Sequence, residues 1–160
     1  MELGVVINRD APIGSFPFKE VFGGFERVAA VKFIFGSDTN MVLSALQVDI
    51  EDGRGYMRIN DEKGSVIVNT KYLKEGDENH LYLDVVHELV HIRQHMEGKE
   101  LWDKRYAYVD RPTELEAYRL ALNEARRIGL GEREIVDYLK VSWVTDEEFG
   151  RLLMTLGVKT

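Results

Sequence analysis

SVIVNTKYLKEGDENHLYLDVVHELVHIRQHME, residues 65–97, contains the change of period on which the fold depends. Its first six residues are rich in β-branched side chains and read as a strand. From about Asn79 the apolar positions recur at helical spacing, predicting a helix over Asn79–Glu97 that stops near Gly98. Upstream lie three more runs of β-branched and aromatic residues: RVAAVKFIF (27–35), MVLSALQVDIE (41–51) and GYMRIN (55–60). Turn signals at Gly36-Ser37-Asp38, Asp52-Gly53-Arg54-Gly55 and Asp61-Glu62-Lys63-Gly64 separate them, so the region reads as a strand meander. FPFKEVFGGF (16–25) reads as a short helix or an irregular cover. Downstream, a second helix is predicted from about Pro112 to Ile128, stopping near Gly129. Two shorter helices follow, in GEREIVDYLK and in TDEEFGRLLMTLG, the latter opened by a Thr145–Glu148 capping box. Strands followed by helices imply an α+β fold, a small twisted sheet packed on the helices. Residues 1–130 form the main unit, and 131–160 a C-terminal helical appendage or a further part of the same domain.

The chain has 160 residues, enough for one domain with a sizeable core. Hydrophobic residues at 44% and charged residues at 31% fit a folded protein. A net charge of -7 argues against a broad phosphate-binding surface, so no nucleic-acid partner is expected. Cysteine is absent, which removes disulfides, zinc ribbons and thiol catalysis and leaves any metal to His and carboxylates. With no signal-peptide pattern and no long apolar run, the expectation is a cytoplasmic protein that does not enter a membrane.

Three of the four histidines, His87, His91 and His95, fall four apart in the first long helix. His87-Glu88-Leu89-Val90-His91 matches HExxH, in which residues four apart on a helix offer both imidazoles to one divalent ion. On a helical projection Asp84, His87, Glu88, His91 and Gln94 share one side, opposite Leu81, Val85, Leu89, Ile92 and Met96. A polar side can also be a merely solvated one, and that reading stands against a metal site. His95 lies about 6 Å further along the axis, too far to close a tetrahedron with the other two. It is expected to line the cleft or make a polar contact, and His80 to lie on the surface.

A third ligand is sought in the second helix, PTELEAYRLALNEARR (112–127), where Glu114 and Glu116 compete. Glu114 shares its face with Ala117, Tyr118, Ala121 and Ala125, small residues that let a neighbouring helix approach closely. Glu116 lies with Arg119, Asn123 and Arg127 on the side expected to be solvated, and suits a Thr113–Glu116 capping box. A carboxylate must come within about 2 Å of zinc, so the closely packed face favours Glu114. Asp103, Asp110 or no third protein ligand are the remaining alternatives.

HELVH followed by PTELEAYRLA resembles the gluzincin metallopeptidases, in which HExxH on one helix and a Glu on a following helix hold zinc. Their second motif commonly reads Glu, then Ala three residues later, then Asp or Asn; here Glu114, Ala117 and Tyr118 stand in those places. The resemblance covers about residues 64–125, and the compact chain is most similar to the minigluzincins. It implies a zincin-like peptidase with one zinc ion held by His87, His91 and Glu114. Glu88 would be the general base that takes a proton from zinc-bound water and passes it to the leaving amine. The substrate would be a peptide or protein, bound along an edge strand expected at 64–70 with Asn69 near the cleft end. Tyr118 departs from the pattern, and its hydroxyl or Asp84 is expected to fix a ligand histidine instead. Oxyanion candidates are Tyr106, Tyr108, Tyr118 and Arg111. The alternatives to an active peptidase are a metal-binding regulatory or interaction domain without turnover, and a latent protease whose segment 131–160 covers the cleft, as tails do in minigluzincins.

Overall fold

A computed structural model describes residues 3–159. The fold is α+β, as expected, but its first half is more helical than the sequence suggests. β1 (Val6–Ile7) pairs with β3 (Phe22–Gly23) in a two-stranded ribbon that encloses β2 (Gly14–Pro17) and the single-turn α1 (Phe18–Val21). FPFKEVFGGF is thus strand, turn of helix and strand, and its Phe18, Phe22 and Phe25 are fully buried.

RVAAVKFIF is not a strand: Ala29–Phe35 form α2. A nearly continuous apolar run carries either period, and here Val28, Val31 and Ile34, three apart, turn to the core while Phe33 is exposed. MVLSALQVDIE divides at Leu46, with Thr39–Ala45 in α3 and Gln47–Glu51 in β4. Only the second half alternates, with Val48 and Ile50 buried between Gln47 and Glu51. β5 (Met57–Asn60) and β6 (Ser65–Asn69) follow as predicted.

The four-stranded sheet has the order β2-β4-β6-β5, so the expected meander is wrong in topology. β4 and β6 are parallel, Val48 opposite Val66, and β5 is the excursion between them, folding back antiparallel onto β6. A parallel pair needs a crossover, which residues 52–64 supply. Consequently the strand expected at the edge, 64–70, is interior, and the edges are β2 and β5.

Asn69 caps α4 (Thr70–Glu75), accepting from the amides of Lys71 and Tyr72, and the chain then enters α5 (Glu78–Met96). The Asp77 side chain caps α5 at the His80 amide. This helix is buried on nearly every side, which fits an axial element rather than a surface helix. α6 (Pro112–Arg127) packs along it through Ala117, Ala121 and Ala125, all fully buried. The Tyr82 hydroxyl on α5 donates to Glu124 on α6, and Arg127 holds the same carboxylate at 2.5 and 2.9 Å. α6 has no side-chain N-cap, so the proposed Thr113–Glu116 box does not form.

α7 (Glu132–Leu139) and α8 (Asp146–Leu156) match the predicted short helices, and the Thr145–Glu148 box is present. Ile135, Leu139, Leu152 and Leu153 belong to the same continuous core as the sheet and α5. Among the described residues, no helix is long and apolar enough to cross a membrane.

Candidate metal centre

The polar side of α5 faces a cleft of about 380 Å³ rather than open solvent. His87, Glu88 and His91 are only 6%, 6% and 2% exposed, and their ligand atoms lie within 4.8 Å of one another. These three form a buried group that can hold a metal ion.

α6 brings a further carboxylate to the same point. Glu114, 4% exposed, sets Oε1 at 3.0 Å from His87 Nε2 and 2.9 Å from His91 Nε2, and the two nitrogens are 3.1 Å apart. The triangle is nearly equilateral and small enough for one ion to reach all three atoms at the roughly 2.0–2.2 Å of zinc with imidazole and carboxylate. The small residues of α6 explain the approach: with Ala117 and Ala121 against α5, the backbones come close enough for a Glu in the first turn to reach the histidines.

The donor chemistry fits a cation. His91 Nδ1 lies 2.7 Å from Gln94 Oε1, while Gln94 Nε2 donates to Thr113 O at 3.0 Å and to Glu116 Oε1 at 2.7 Å. The amide oxygen can only accept, so His91 Nδ1 carries the hydrogen. His91 Nε2 then faces Glu114 with a bare lone pair unless a proton or a metal ion lies between them. Burial acts to push the His91 imidazole down, but Glu114 outweighs it and raises the pKa to about 9. Glu114 shows the counterpart: burial acts to raise its pKa, and the two imidazoles hold it far below the usual carboxylate range.

Glu88 makes no ion pair among the described residues. Burial pushes its carboxyl well above the usual range; His91 opposes that push and Glu114 reinforces it. It is a buried carboxylate beside the two imidazoles and Glu114, with no cation or donor of its own among the described residues.

The other candidates lie elsewhere. Asp103 is occupied by Arg105 and Asp110 by Arg151. Glu116 does not line the cleft; it is held by Arg93 at 3.0 Å and by Gln94. His95 does not line the cleft as expected; its ring lies against Gly64 in the β5–β6 turn. His80 is half-buried against the Tyr138 ring, 5.3 Å between centroids.

Neither residue expected to fix a ligand histidine does so directly. Tyr118 packs edge-on against the His87 ring at 4.5 Å, but its hydroxyl pairs with Tyr108 at 2.7 Å. Asp84 accepts from Tyr72 at 2.5 Å and Tyr138 at 2.8 Å, and burial raises its pKa. His87 Nδ1 is buried without a partner among the described residues. Of the oxyanion candidates, Tyr108 and Tyr118 line the cleft, whereas Tyr106 is 41% exposed and Arg111 lies over the Tyr108 ring at 5.9 Å. Asn69 lines the cleft as expected, but the strand edge along it is β5, through Met57 and Arg58.

Several lining residues carried no signal in the sequence. Tyr138 and Trp143 reach the cleft from a segment distant along the chain, while Tyr72 and Gln94 stand behind lining residues, on Asp84 and His91; of these only Gln94, on the HExxH side three residues after His91, was locally marked. Trp143 stands between Tyr56 and Tyr108, with ring centroids 6.0 and 5.8 Å away. No family model, curated protein or solved structure matches the chain, so its chemistry is read from its own residues.

Proposed function

We propose that the protein is a zinc-dependent metallopeptidase of gluzincin type, most similar to the minigluzincins. In this reading His87, His91 and Glu114 hold one zinc ion and Glu88 is the general base. The observation that carries it is the meeting of two imidazole nitrogens and a carboxylate oxygen from two helices at about 3 Å spacing, beside a buried and otherwise unused glutamate. Two imidazoles with a carboxylate are a donor set suited to zinc. When bound, zinc supplies Lewis acidity, lowering the pKa of water and polarising a carbonyl. The chain supplies the rest. Glu88 takes the proton from the attacking water and delivers it to the leaving amine. The β5 edge has free backbone groups that can pair with an extended peptide and lay its scissile bond across the histidines. The Tyr108–Tyr118 hydroxyl pair is the donor available on the opposite wall for an oxyanion.

The test is metal content together with hydrolysis. Purified protein should contain one equivalent of zinc by elemental analysis and cleave members of an unbiased peptide library, with cleavage lost on chelation and restored by zinc. Absence of bound zinc after reconstitution sinks this reading. Stoichiometric zinc without cleavage favours a metal-binding interaction domain.

A second reading, latency, is favoured by Trp143. The segment after α7 crosses the cleft mouth, with Trp143 meeting Tyr56 on one wall and Tyr108 on the other, and Tyr138 tied to Asp84 beneath it. Removing all of 131–160 is a poor probe because Ile135, Leu139, Leu152 and Leu153 are core residues. Trp143 is 50% exposed, so Trp143→Ala opens the cleft at little cost to the core. The variant is expected to raise kcat/KM on peptides with zinc content unchanged; equal rates in both proteins rule out a strap at this residue.

A further inference from the structure

We infer that Gln94, held in turn by Glu116, is a positioning residue that fixes His91 in the tautomer bearing hydrogen on Nδ1 and so presents Nε2 to the metal. The inference rests on the zinc reading above and assigns to Gln94 a task that HExxH does not specify.

Gln94 is completely buried in the last turns of α5, with both ends of its amide occupied. One hydrogen goes to the Thr113 carbonyl at 3.0 Å and the other to Glu116 Oε1 at 2.7 Å. Flipping the amide would set its oxygen against a carbonyl and a carboxylate and aim two hydrogens at His91. Three acceptors would then face one another around a side chain that is itself fully buried, so the observed orientation is preferred. With the oxygen directed at His91 Nδ1 at 2.7 Å, that nitrogen must donate, and Nε2 is left to coordinate. Arg93 on α5 holds Glu116 at 3.0 Å from the solvent side, closing the relay.

The two glutamates of the second motif thereby divide the work. Glu114 points inward to the histidine nitrogens, whereas Glu116, two residues on along α6 and half-exposed, acts on His91 only through Gln94. The arrangement is also asymmetric: His91 has this relay, while His87 has a buried Nδ1 without a partner and is held by packing against Tyr118.

Zinc affinity, measured by competition with a chromophoric chelator, tests the relay independently of peptidase activity. Gln94→Met fills the same space without an acceptor and should weaken zinc by roughly 10–100-fold. In zinc-loaded wild type, ¹⁵N NMR of the His91 ring should show hydrogen on Nδ1 and coordination through Nε2, a readout that needs no variant. Coordination through Nδ1, or zinc affinity equal to wild type in folded Gln94→Met, overturns the inference and leaves the peptidase reading standing. Wild type that binds no zinc overturns both.

Discussion

Glu88→Gln is expected to keep the zinc and lose the peptide hydrolysis of the proposed peptidase. The substitution preserves the size of a side chain that is 6% exposed, so the packing around α5 is retained. It removes a carboxylate beside the candidate centre that no cation or donor occupies among the described residues, while the His87, His91 and Glu114 atoms that meet at about 3 Å are untouched. Loss of a general base costs roughly 10²–10⁴-fold in rate, and the loss should fall on kcat rather than KM because Glu88 acts on water and not on bound peptide. Elemental analysis and steady-state kinetics on the same preparation measure the two properties together. If zinc disappears with the carboxylate, Glu88 is a ligand, and the grouping of His87, Glu88 and His91 without Glu114 becomes the better description of the centre.

The second large effect is expected at Glu114. Glu114→Ala removes the only atom from outside α5, among the described residues, that lies within 3.0 Å of both imidazole nitrogens. Two histidines alone are one protein ligand short of a catalytic zinc site. Affinity should therefore fall by more than the roughly 10–100-fold typical of an outer partner. The controls are graded by position. Glu116→Ala breaks only the support of Gln94 and should lie within that outer range, and His95→Ala, beside Gly64 on the far side of the helix end, should leave zinc unchanged. An affinity for Glu114→Ala equal to that of His95→Ala would remove Glu114 from the ligand set and transfer the search to Glu88.

The residues of the proposed centre were legible because each depends on one helix or on one helix face. His87, Glu88 and His91 follow from a four-residue spacing, and Glu114 separates from Glu116 because the alanines mark which side of α6 packs. The solvated-face alternative fails on burial: His91 is 2% exposed because the cleft walls and α6 cover the polar side of α5. What supports that centre was not legible. Tyr72 and Tyr138 converge on Asp84 from 12 and 54 residues away, and no local period records such a meeting.

By itself the sequence determined the α+β class, the two long helices, the HExxH face and the choice of Glu114 as the inward glutamate, since all of these are written in spacings of two, three and four residues. Only the tertiary structure decided that RVAAVKFIF is helix, that β6 lies inside the sheet with β5 at its edge, and that Trp143 spans the cleft. The physical reason is the same in each case. A short apolar run carries both periods, strand order depends on which edges meet, and a cleft is lined by whatever segments the closed core brings to it.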